Sequence, residues 1–96
     1  MSPKNKIKLN KLRKKLDKLD YQLLKTIKIR TEIVKKVINL KSYKKEIIDK
    51  KRISVILKKI KKESLKRNID PKITKRIWNN MIWSYIDFEK RNFKKK

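Results

Sequence analysis

Six arginines, at positions 13, 30, 52, 67, 76 and 91, stand among the 33 basic residues of this sequence, so 27 of those residues are lysine. The rarer cation is the more informative. A guanidinium is a planar fork that grips a carboxylate in two places, whereas a lysine acts as a point charge on a flexible stem. The chemistry such residues could do is the recognition of a small anion. Two cations interrupt an apolar pattern: Leu12, Leu16, Leu19, Leu23 and Ile27 recur at helical steps and continue as Arg30, Val34, Val37 and Lys41. Residues 30 and 41 would share a helix face about 16 Å apart along the axis, close enough for two long side chains to close on one anion. Arg30 in mid-stripe calls for a partner or ligand, because an unpaired buried charge is costly. The alternative, that each cation snorkels to the edge of the core, is common for such side chains.

Arg13 lies about 25 Å from Arg30 along the same axis, so a small ligand reaches both only if a second chain brings them together. Two first helices packed antiparallel would do this twice, in a two-fold dimer. Arg52 falls three residues after Asp49, a candidate N-cap. A cation in a first turn opposes the helix dipole, a mild cost that a bound anion would offset. Glu89 continues an apolar face through Trp78, Ile82 and Tyr85, and burial there without a strong partner would favour its protonated form.

The elements that must position these residues are helical. The stripe from about Leu9 to about Lys41 describes one long amphipathic helix. The period lapses over Ser42 to Ile48. After the Asp49 cap, Ile53, Ile56, Leu57 and Ile60 open a second helix, which ends near Arg67 with Asn68 as a left-handed stop. Asp70-Pro71 then combines an N-cap with proline at the first helical position. The third helix runs to about Asn92, with an apolar face of Ile77, Trp78, Met81, Ile82, Tyr85 and Phe88. Residues 1–8 read as a disordered basic terminus, 9–92 as the single domain and 93–96 as a basic tail. An all-α chain with so long a first helix cannot close as a compact bundle of matched helices, and that helix needs a partner.

The formal net charge of +24 over 96 residues suits nucleic acid or an anionic surface. Glycine, alanine, histidine and cysteine are absent while lysine, isoleucine and asparagine abound, a skew that suggests AT-rich coding drift. On this reading most lysines are solvated helix surface and nucleic acid is not the partner, although a basic helical nucleic-acid binder stands as the alternative of another class. No aromatic pattern forms a base-stacking platform. Without cysteine there is no thiolate or disulfide chemistry, and without histidine a zinc site is improbable. No apolar run approaches a membrane span, and the Lys-rich start lacks the apolar core of a signal peptide, so the expectation is a soluble, cytoplasmic protein.

The run Leu12-Arg13-Lys14-Lys15-Leu16-Asp17-Lys18-Leu19-Asp20-Tyr21-Gln22-Leu23-Leu24, with Arg30 and Lys41 later on the same helix, resembles the all-α chorismate mutases. Their opening motif is Leu-Arg followed by a stretch ending Asp-x-x-Leu-Leu. The likeness continues through Asp49-Lys50-Lys51-Arg52, Asn68-Ile69-Asp70-Pro71 and Arg76-Ile77-Trp78 to Glu89, nearly the whole chain. It implies an intertwined antiparallel helical homodimer of three helices per chain. Arg13 would enter the partner's site, while Arg30, Lys41, Asp49, Arg52, Tyr85 and Glu89 come from one protomer. It also implies chorismate, a dicarboxylate, as substrate, and rearrangement to prephenate in aromatic amino-acid biosynthesis without cofactor or metal. Arginines would hold the carboxylates, and Lys41 with protonated Glu89 would donate to the ether oxygen as its charge grows.

Two positions depart from the mutase pattern. Ile53 stands where the family commonly has Glu, and Tyr85 where it often has a small hydroxyl residue. Both are similar to the isochorismate-pyruvate lyases on the same scaffold, which is the alternative reading. Glu89 favours the mutase, because the lyases resemble the members that carry Gln there.

Overall fold

A computed structural model describes residues 1–94 as helices and short turns, with α1 at Pro3–Leu40, α2 at Lys50–Lys66 and α3 at Pro71–Asn92. A single 3-10 turn at Lys44–Glu46 lies between α1 and α2. Two units are distinguished, Met1–Ile33 and Val34–Lys96.

The first unit is helix. It begins at Pro3, inside the segment 1–8 that was expected to be disordered, and the cause is local. Ser2 Oγ accepts from the Asn5 backbone N–H at 3.2 Å, and the Lys6 N–H reaches the Ser2 carbonyl at 2.9 Å. Ser2-Pro3 is thus an N-cap followed by a proline that needs no hydrogen-bond partner at its nitrogen. The expected stripe is exposed within the chain, from Leu12 through Leu16, Leu19 and Leu23 to Ile27.

The second unit holds the buried residues. Near the end of α1 it is Ile38, not Val37, that is buried, one position round the helix from the expected stripe. The Lys41 N–H closes the last turn on the Ile38 carbonyl at 3.2 Å, so Lys41 stands just past the helix. In the aperiodic segment, Ile47 is 3% exposed. Burying one such side chain contributes about 1.5–3 kcal/mol, which anchors the connection.

Helix α2 starts where the sequence indicates, with the Asp49 side chain accepting from the Arg52 N–H at 3.0 Å. It stops at a left-handed Asn68, φ 55°. There the Ile69 N–H bonds to the Ser64 carbonyl at 2.9 Å and the Asn68 N–H to the Leu65 carbonyl at 3.3 Å, the pair of bonds that closes a Schellman turn. Asparagine takes the place glycine usually fills, since its short polar side chain tolerates that conformation. Asp70 then caps α3 through the Lys72 N–H at 2.9 Å, with Pro71 in the first turn.

This four-residue reversal lays α3 against α2. The two are joined by a buried hydroxyl pair, Ser64 Oγ and Thr74 Oγ1 at 2.7 Å, and Ser64 Oγ donates a hydrogen bond to the Ile60 carbonyl at 2.6 Å. On α3, Ile86 is buried and Trp78, Met81, Ile82, Tyr85 and Phe88 are half-buried, whereas Ile77, expected on the same face, is exposed. Phe93 ends the helix in an extended conformation, and Lys95 and Lys96 of the expected tail lie outside the described residues. Among the described residues no helix is long and apolar enough to cross a membrane.

Candidate active site

Lys41 and Glu89 are 48 residues apart in sequence and meet directly: Lys41 Nζ donates to Glu89 Oε1 at 2.9 Å. Each owes its place to a different constraint. Lys41 has left α1, so its side chain is not bound to the helix stripe. Glu89 lies on the inner face of α3, one turn beyond Tyr85, where backbone geometry buries it to 7% exposure. A buried carboxylate requires a partner, and the ammonium supplies it. The premise of an unpartnered Glu89 is therefore corrected. In this arrangement Glu89 Oε1 accepts from Lys41 Nζ.

Lys41 also lines an open cleft together with Asp49 and Glu46. Asp49 thus has two relations, one to its helix through the Arg52 N–H and one to the space beside Lys41. Glu46 was not singled out from sequence. It lies in the aperiodic segment, and its only signal is an acid in the first turn of the 3-10 element. Arg52 is exposed in the first turn of α2, and Tyr85 is half-buried with its ring edge-on to Phe88 at a centroid distance of 6.5 Å. Neither lines the cleft of Lys41 and Asp49. Arg13 and Arg30 belong to the first unit, on exposed positions of α1.

Two of the three remaining arginines sit in ion pairs within their own helical segments. Arg67 pairs with Glu63 at 3.6 Å and Arg91 with Asp87 at 2.9 Å, both one helical turn apart and largely exposed, so they are surface pairs of small energetic weight. Among the described residues no group of three or more acidic side chains gathers as a metal site requires.

An arrangement that presents a fixed ammonium beside an open, charged cleft can stabilise developing negative charge on a ligand oxygen. It contains no nucleophile set against a base. The model of the family described as chorismate mutase type II matches residues 12–90. The chain belongs to the chorismate mutase type II family. That match runs from the Leu12-Arg13 motif to the residue after Glu89, so every candidate site residue falls within it. Membership indicates chorismate mutase activity, an isomerisation, and the isochorismate-pyruvate lyase reading is not favoured. All-helical architecture with three helices agrees with the mutase fold. Among curated proteins and among solved structures, none matches significantly.

Proposed function

We propose that this chain rearranges chorismate to prephenate at a site organised by the Lys41–Glu89 pair, and that it does so as a two-fold homodimer in the cytoplasm, serving aromatic amino-acid biosynthesis. The pair, at 2.9 Å with a buried carboxylate, is the observation that carries the reading. In the rearrangement the ether C–O bond breaks as a C–C bond forms, and negative charge grows on the ether oxygen. An ammonium has three N–H donors. One held by Glu89 fixes the position of Nζ and leaves two for the substrate, so the donor is in place before charge develops. Glu89 then acts as a positioning residue for Lys41. By the resemblance, Arg30 and Arg52 grip the carboxylates, Arg13 is contributed by the second chain, and Asp49 and Tyr85 border the ring. Residues 9–92 form the mutase domain.

The homodimer is supported by the uncovered stripe of α1, whose leucines are more than half exposed in a single chain. A contiguous apolar face of this kind marks a protein interface.

An assay resolving both substrates tests the reading. Purified protein should convert chorismate to prephenate, and release of pyruvate from isochorismate with no action on chorismate would overturn it. Shared sites have their own check. Arg13→Ala and Arg30→Ala chains, each inactive, should regain part of the activity when mixed under exchange, and no recovery despite exchange would remove Arg13 from the partner's site.

A further inference from the structure

Thr74, which meets Ser64 in the buried hydroxyl pair, also lines a second cleft, between α2 and α3, with a volume of about 300 Å³. Its walls are carbon, chiefly Leu57, Ile60 and Pro71. Its rim is cationic: Lys58 and Lys61 come from α2, Lys72 and Lys75 from α3. Within each helix the two lysines are three residues apart, and that spacing keeps both on one face. This cleft shares no lining residue with the one that Lys41 borders.

No acid lines it. The nearest acids in sequence are engaged elsewhere, Glu63 with Lys66 and Arg67, and Asp70 with the Lys72 backbone N–H. The hydroxyl that lines the cleft is engaged as well, because Thr74 meets Ser64, whose own hydrogen goes to the Ile60 carbonyl. Polar recognition in this cleft therefore falls to the lysines alone, and they recognise anions. The volume is at the lower end of small-molecule sites, enough for one ring or a short chain. An apolar body satisfies the walls and a single negative head satisfies the rim. A zwitterionic ligand would bring an ammonium against four others. A dicarboxylate would press a second charge onto carbon.

We propose that the α2–α3 cleft is a binding site for a small aryl or alkyl monocarboxylate, separate from the site of the Lys41–Glu89 pair. The full-length protein is titrated with 3-phenylpropanoate and, in parallel, with its neutral amide, following backbone amide resonances. Saturable shifts should be confined to the cleft, around Leu57, Ile60 and Thr74, and the neutral amide should bind about tenfold more weakly, the value of a charge-assisted hydrogen bond. The double variant Lys61→Glu, Lys72→Glu should lose about tenfold in affinity, whereas Lys59→Glu, Lys62→Glu, with the same change of charge on exposed α2 positions outside the cleft, should stay within about twofold. Both variants keep helix-forming residues, so folding is preserved. Shifts spread over all the lysine-rich surface, equal binding of the amide, or equal loss in the two variants would overturn the proposal. So would cleft amides that do not respond because a second copy of the chain covers them.

Discussion

Met1–Ile33 and Val34–Lys96 draw on the same residue types, aliphatic side chains at helical spacing among many lysines, yet their apolar groups meet different fates. In the first segment Leu16 and Leu23 are 58% and 59% exposed. In the second, Ile38, Ile47 and Ile86 are buried together with Ser64, Thr74 and Glu89, and among the described residues no buried side-chain polar atom lacks a partner. Hydropathy does not separate the two. The second segment contains a tight reversal at Asn68, so α2 has α3 beside it, while a lone helix offers its own stripe nothing to pack against. Long helices in water draw most of their stability from such packing. Burial in one chain is decided by where the turns are, and an amphipathic helix without a turn keeps its apolar stripe exposed.

The largest effect should come from breaking the first segment. Leu16→Glu with Leu23→Glu places charges on the exposed stripe. The expected outcome is loss of the proposed two-chain assembly by light scattering and of mutase activity with it. A fully active single-chain species would show that the stripe serves no second copy. Next in size is Lys41→Ala, which leaves the first segment untouched and removes the fixed donor. It should lower kcat by about 10²–10³-fold, the usual cost of losing one preorganised donor, and it should also lower the melting temperature, because Glu89 is left buried without its ammonium. A drop below tenfold would move the chemistry away from Lys41.

Thr74→Val should cost the second segment about 1–2 kcal/mol in urea unfolding, because a buried hydroxyl contact is lost at nearly constant shape. The smallest change compares the two proline-led caps. Asp70→Ala should destabilise by about 1 kcal/mol, and Ser2→Ala, at an open end of the first segment, by less, since only the former orders a turn between packed helices. Equal effects at the two caps would show that the first segment is as cooperatively folded as the second.

The three helices were legible because their signals are local. Asp49, Asn68 and Asp70-Pro71 each fix backbone groups within three or four residues, and those positions are where the structure starts α2, stops it and starts α3. Ser2-Pro3 carries the same signal as Asp70-Pro71 but was hidden by the lysines that follow it, which suggested disorder. Periodicity located the stripe only to within one residue, since a helix presents Val37 and Ile38 about 100° apart and the sequence does not say which side is covered. The Lys41–Glu89 pair could not be read from spacing at all. Both residues were named, each from its own helix, but their contact spans 48 residues and depends on Lys41 leaving α1 one residue after Leu40. For the same reason the Ser64–Thr74 bond went unnoticed, as nothing within one helical turn of either hydroxyl announces the other.

The Asn68 turn also bears on the unfolded protein. The sequence contains no glycine, so every residue, including the one in the left-handed region, carries a Cβ. Each Cβ narrows the conformations open to a denatured backbone, and the entropy surrendered on folding falls accordingly. A chain with few buried side chains thus begins its folding from a stiffer ensemble than its length suggests. Replacing Asn68 by glycine would relax the native turn while loosening that ensemble, two changes of opposite sign that nearly cancel.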